Sequence, residues 1–319
     1  MKALKRINLF LVCMVSVFLV TAYAGETQEI DKTFAAKKAV QIKTVSGDCI
    51  VKAAGGNKIQ VHVAYTYPKD VYKPVFKEEG DTLVLQEKFK GSGSGKSTWT
   101  VTVPAKTGIT FHSASGDFSA KGLKGALNGK TASGDFEIKD LEGDLTIGTA
   151  SGDLEADNIS GNLIFKTANG DIEGRNLKGD IAAKTASGDI EIEEAKGSFE
   201  VKTASGEIEA KKITLQKASF FKTASGEVAI ELAESAGYDL TLASASGDVV
   251  LNYNGHPFKG YFEFTAKKSS GKIVCPVKFD KEEEIEHHGQ KYLKKSFSRG
   301  GNTPKILLKT ASGKAELQK

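Results

Sequence analysis

The sequence predicts an all-β protein: a single-stranded β-helix, or β-solenoid, of 18-residue coils with two strands per coil and a cap at each end. Three observations predict it. A Ser/Asn-Gly-Asp/Glu step returns every 18 residues, at Gly116, Gly134, Gly152, Gly170, Gly188 and Gly206. A second glycine column, Gly125, Gly143, Gly161, Gly179 and Gly197, runs nine residues out of phase. Between the glycines, apolar residues alternate with polar ones, the period of a half-buried strand, and the repeats show no helical period.

The chain opens with a targeting signal. Lys2, Lys5 and Arg6 precede an apolar run, Ile7 to Val20, and Ala22-Tyr23-Ala24 supplies a small-x-small cleavage site. Residues 1–24 therefore read as a signal peptide, and the run is too short to span a bilayer. No small residue precedes Cys13 as a lipoprotein signal needs, so a soluble exported protein is expected, not membrane-spanning once the signal is cut. The whole chain has 44 Lys+Arg against 40 Asp+Glu. Removing the leader's three basic residues leaves 41 against 40. That near-balance withdraws the electrostatic case for a nucleic-acid partner. Cys49 and Cys275 remain and are read as unpaired and buried, since residues so far apart along a linear array need not meet.

Residues 25–112 are expected to form an N-terminal β cap and the first coils. Val40 to Lys43 and Ile59 to Val63 alternate as strands, and Thr44-Val45-Ser46-Gly47-Asp48 is an early copy of the turn. Gly91-Ser92-Gly93-Ser94-Gly95 reads as a loop between Leu83-Val84-Leu85 and Trp99 to Pro104. Residues 113–319 form the repeat array. In it each coil divides into two nine-residue halves, with pairs such as Phe136/Ile138 and Ile190/Ile192 after the first turn and Leu163/Phe165 and Phe199/Val201 after the second. One half cannot bury its own apolar face, whereas stacked copies about 4.8 Å apart can. Beyond Gly206 the column loosens through Gly226, Gly247 and Gly271 and ends at Gly313, with a charged capping excursion at 276–302. The calcium-binding nonapeptide roll has a half-repeat of this length, but here the acid follows its glycine directly and no Gly-Gly precedes it.

Parity assigns the side chains. Thr149, Thr167, Thr185 and Thr203 share the apolar parity and should form an inward or corner ladder, bonding to copies above and below. Glu137, Glu155, Glu173, Glu191 and Glu209 should stack on one outer face, beside Asp135, Asp153, Asp171, Asp189 and Glu207 at the turn. Lys130, Lys166, Lys184, Lys202 and Lys222 should stack on the other half. Like charges at this spacing in water repel by about 1 kcal/mol per pair, a tolerable cost, so a solvated face is the default. The acidic column also discourages edge-to-edge aggregation. A Ca2+ ion or another divalent cation bridging the Glu column is the sharper alternative. No resident cofactor is implied.

The early Val-Ser-Gly-Asp copy, the Val101-Thr102-Val103-Pro104 strand leading into Ser113-Ala114-Ser115-Gly116-Asp117, and the closing Thr310-Ala311-Ser312-Gly313 coil occur in that order. Together they resemble the bacterial putative-adhesin family of β-strand-repeat proteins, a domain-of-unknown-function family. The resemblance implies an exported or envelope-associated β-helix and supplies no catalytic residues.

The chemistry-bearing residues point the same way. The histidines are scattered at His62, His112, His256, His287 and His288, the last pair within a charged stretch read as a solvated loop. No Gly-x-Ser-x-Gly, His-Glu-x-x-His or phosphate loop occurs. The expected function is a non-enzymatic, adhesin-like or scaffold protein of the bacterial envelope or cell surface, in the periplasm or outside the cell. Its candidate ligand face consists of Asp135, Asp153, Asp171, Asp189, Glu207, Lys166, Lys184 and Lys202, and its partner is an envelope protein or a polysaccharide. The alternatives are a carbohydrate-active β-helix enzyme, a polysaccharide lyase or hydrolase with its cleft in the looser coils after Gly206, and a divalent-cation-binding repeat protein.

Overall fold

A computed structural model describes residues 26–319, so the expected signal peptide lies outside the described residues. Twenty-six strands join into one hydrogen-bonded sheet, and no helix occurs among the described residues. The centre is a solenoid-like parallel stack whose partners lie 18 residues apart. Phe136 pairs with Leu154, Leu154 with Ile172, Ile172 with Ile190 and Ile190 with Ile208. A second file runs Leu127, Leu145, Leu163, Ile181 and Phe199. Both files are buried throughout. Each such side chain contributes about 1.5–3 kcal/mol by leaving water, which no coil can collect without neighbours.

The coil is not two equal halves. A corner intervenes at Gly122, Asp140, Asn158, Asn176, Glu194 and Lys212, all with φ between +52° and +77°. Three residues on come Gly143, Gly161, Gly179 and Gly197, again with positive φ. Between the corners, Leu141, Ile159, Leu177, Ala195 and Ile213 point into the core. Asn and Asp tolerate the left-handed region best after glycine. The Gly-Asp-Asn-Asn opening of that column was its sequence signal, hidden because strict alternation breaks there. The first glycine column has a different cause. A Cβ on Gly152 would collide with the carbonyl of Gly134, and the same holds for Gly170 over Gly152 and Gly188 over Gly170.

The order of coils in space departs from the order in sequence at both ends. Ala39–Lys43 lies between Thr82–Phe89 and Gly108–His112, and Asp48–Ala54 lies between Ser97–Pro104 and Phe118–Lys121, all parallel. The first coil of the chain is thus second in the stack. At the other end Lys305–Gln318 inserts between the coil of Leu240–Ser246 and Val249–Asn252 and the coil of Gly260–Lys267 and Gly271–Val274. Gly313 stacks on Gly247, and Gly271 lies beyond it, reversing the expected order. Antiparallel strands flank the stack: Gln28–Ala35, Lys58–Tyr65 and Tyr72–Glu79 at one end, Lys281–His287 and Gln290–Arg299 at the other. The stretch around His287 is therefore a hairpin rather than a loop, turning through His288 and Gly289 in left-handed conformation.

Candidate functional site

The acids that follow the turn glycines have a backbone task. Oδ1 of Asp48, Asp117, Asp135, Asp153, Asp171 and Asp189 each accepts the backbone N–H of the residue that stacks on it. Across the regular coils, from Asp135 accepting from Asp153 to Asp189 accepting from Glu207, the distances are 2.8–2.9 Å. An aspartate at this point therefore extends the ladder by one bond per coil, a reason for its recurrence independent of any ligand. Asp248 does the same for Lys314 at 2.8 Å.

Beside this file runs the Glu column, in register from Glu137 through Glu155, Glu173 and Glu191 to Glu209. The two files line an open groove of about 540 Å³ that extends over five stacked turns, from Asp48 to Asp171. Lysines temper its charge. The Lys139 ammonium bonds the Glu137 carboxylate and lies 3.6 Å from Glu155, and Lys211 lies 2.7 Å from Glu209. Among the described residues no three His, Cys, Asp or Glu side chains converge closely enough to hold a metal ion. The Glu side chains are strung along the stack one per coil, the wrong disposition for a single coordination sphere.

The lysine column stacks in register at Lys166, Lys184, Lys202 and Lys222, but Gly148 interrupts it between Lys130 and Lys166. Glu200 bridges Lys184 at 2.6 Å and Lys202 at 3.1 Å, which holds the Glu200 carboxyl below its usual range. The acid and lysine columns lie on different strands of the coil, so the structure does not merge them into one site.

The threonines do point inward, Thr185 and Thr203 being buried. Their hydroxyls, however, do not bond one another. Thr167, Thr185 and Thr203 donate to the carbonyls of Gly152, Gly170 and Gly188 in the preceding coil, each at 3.1 Å. Thr149 accepts the N–H of Gly152 within its own turn. The cysteines are free thiols, Cys49 buried but Cys275 only half-buried, and burial pushes both above the usual thiol range.

One buried charge escaped the sequence reading. Glu87, 4% exposed, is the only buried charged side chain among the described residues. Its Oε1 accepts from the Tyr72 hydroxyl at 2.9 Å, from the Ser97 hydroxyl and from the Trp99 indole at 3.3 Å. Its Oε2 accepts the backbone N–H groups of Val45 at 2.6 Å and Ser46 at 3.3 Å. In the coils above, the same two turn positions donate to a carbonyl of the coil beneath. Ala132 and Ser133 donate to Ala114, and Ala150 and Ser151 donate to Ala132. The outermost coil has no such turn, only the Gly91 to Gly95 loop, so the carboxylate substitutes for the missing carbonyl. Burial and the neighbouring Glu87 charge push the Tyr72 hydroxyl far above its usual range, keeping it protonated as a donor.

The Toastrack DUF4097 family model matches residues 37–272. Among solved structures, a putative lipid binding protein from Parabacteroides distasonis is 16% identical, with a TM-score of 0.40 over 92% of this chain and 96% of that one. A putative adhesin from Bacteroides fragilis is 14% identical, with a TM-score of 0.31 over 91% and 97%. A putative cell adhesion protein from Clostridium sporogenes is 10% identical, with a TM-score of 0.22 over 92% and 99%. None of the curated proteins matches the chain.

Proposed function

The chain belongs to the Toastrack DUF4097 family, and from that premise we propose that it is a non-catalytic, adhesin-like protein, exported to the envelope or cell surface. There it holds an extended partner by repetition along its stack. The observation that carries this reading is the register of the outer columns. One carboxylate from the Glu file and one from the Asp file return with each coil of the groove from Asp135 to Asp171, and Asp48 and Asp117 carry the Asp file alone past Ile50 and Ser119. Strand spacing of about 4.8 Å sets the interval, so an extended polymer or a partner's surface meets the same group again at each step. Weak contacts made once per coil add up to avidity without any deep pocket.

The antiparallel strands at either end serve as caps. The outermost, Lys281–His287, is rich in charge, with Glu282, Glu283, Glu284 and Glu286 along an edge that would otherwise template pairing with another chain. The leader that precedes residue 25 supports export, and no helix among the described residues is long and apolar enough to cross a membrane.

The test replaces Glu155, Glu173 and Glu191 together with lysine and compares both proteins for capture of fractionated envelope material and a polysaccharide panel, with and without EDTA. Loss of capture at an unchanged melting temperature supports the acidic face. Loss of wild-type capture on adding EDTA would show that a divalent cation bridges it. Unaltered capture by the triple variant would sink this version of the reading.

A further inference from the structure

The chain leaves its 18-residue period at two places that adjoin in space. Gly197 pairs with Leu215 and Glu200 with Phe220, so two extra residues lie around Gln216 to Ala218. In the next coil the matching connection lengthens again, Ala233 to Asp239 standing where Thr214 to Ala218 stand below, before Leu240–Ser246 resumes the stack. These additions shape two open hollows, of about 300 and 620 Å³, that meet at Ala218.

What stands at the junction is unlike the rest of the surface. Tyr238, on the wall of the larger hollow, is 48% exposed, one of three large hydrophobic residues so placed among the described residues. Phe220 lines the smaller hollow from an outward position, which the coils below and above give to Glu200 and Thr241. The Lys202 and Lys222 ammonium groups lie 4.7 and 4.9 Å from its ring centroid. Fixed polar groups border both rings. Asp180 is held by the Ser198 hydroxyl at 2.7 Å and by Lys217 at 2.8 Å, and Asp239 accepts the backbone N–H of Lys305 at 2.8 Å.

We propose that this trough is a glycan-binding site, a proposal that rests on the adhesin-like reading and gives it a ligand class. A pyranose ring presents an apolar face of C–H groups and a rim of hydroxyls. Recognition therefore calls for an aromatic surface together with a few polar groups already fixed in place. The trough supplies two aromatic rings on either side of a small residue, and anchored carboxylates that accept from sugar hydroxyls. Lys202 and Lys217 are paired with Glu200 and Asp180, but Lys222 beside Phe220 and Lys259 on the wall of the larger hollow form no ion pair among the described residues and favour a chain carrying carboxylates over a neutral one. The site lies away from the acidic groove, so the two are separable by mutation.

The experiment titrates the purified protein with neutral and uronate-containing oligosaccharides, using Tyr238→Ala, Phe220→Ala and, as a control outside both the trough and the acidic groove, the exposed Asp70→Asn. The expected result is saturable binding, stronger for uronates, weakened about tenfold or more by either aromatic substitution and unmoved by Asp70→Asn, with melting temperatures unchanged for Tyr238→Ala. Equal binding by wild type and both aromatic variants would overturn the trough while leaving the adhesin-like reading intact. Failure of the wild type to bind any oligosaccharide while it still captures envelope protein would also overturn the glycan site alone. Failure to capture anything would overturn both.

Discussion

Glu87→Ala tests how the stack ends. The substitution strips the acceptor from five donors at once: Tyr72, Ser97, Trp99 and the backbone of Val45 and Ser46. Val45 is 48% exposed, so the two turn amides can turn to water at little cost. Tyr72, Ser97 and Trp99 are buried and cannot. A buried donor left unsatisfied costs about 1–3 kcal/mol, so three give about 3–9 kcal/mol before any water enters the space vacated by the carboxylate. With that relief the expected loss is about 3–5 kcal/mol, the lower part of that range. Glu87→Gln should recover only part of it, because its amide keeps one acceptor oxygen and turns a donor toward other donors. The loss should also be local, since each coil of a solenoid touches only its neighbours. Hydrogen exchange should speed up at Val45 and Ser46 and through Ala39–Lys43 and Asp48–Ala54, with protection at Leu154–Lys166 unchanged. Unchanged exchange at the Val45 and Ser46 amides, or a loss spread evenly over the stack, would refute the idea that this carboxylate terminates the turn ladder.

Two further outcomes follow from the acid file. Asp153→Ala should cost about 0.5–1.5 kcal/mol by removing the acceptor for the Asp171 N–H, while Asp153→Asn keeps an acceptor oxygen and should cost less. Denaturant titration of the pair decides it, and equal losses would mean that charge rather than the hydrogen bond matters there. Glu227 is held above its ordinary value of 4.5, first by burial and then by Asp248 and Glu207. A carboxyl with a raised folded pKa holds its proton more tightly folded than unfolded. Its penalty is absent below the unfolded pKa and grows as pH rises through the folded one. Glu227→Gln should therefore raise the melting temperature at pH 7 and leave it nearly unchanged at about pH 3, below the ordinary carboxylate range. An equal gain at both pH values would contradict the assignment.

The sequence by itself determined the all-β class, the faces and the periodic part of the stack. A chain that repeats every 18 residues puts the same environment around each copy, so parity alone says that Phe136, Leu154 and Ile172 go inward and Glu137, Glu155 and Glu173 outward. It also showed where the period fails after Gly206, though not that Phe220 and Tyr238 would line adjoining hollows there. The corner column of Asp140, Asn158 and Asn176 was readable in principle, since its left-handed backbone selects its residue types. It was obscured because Glu194 and Lys212 occupy the same place, with Lys212 bonded to Glu194 at 2.6 Å. The ends were decided by the tertiary structure alone. Nothing periodic marks Ala39–Lys43 as second in the stack, or Lys305–Gln318 as lying inside Gly260–Lys267 rather than beyond it. Periodicity specifies a neighbour only where the neighbour is another copy. At a terminus the neighbour is unique, and its identity follows from which segment can complete the unpaired edge and bury the open core. For the same reason Glu87 looks in the sequence like any surface acid and becomes, in the fold, the group that closes the first turn.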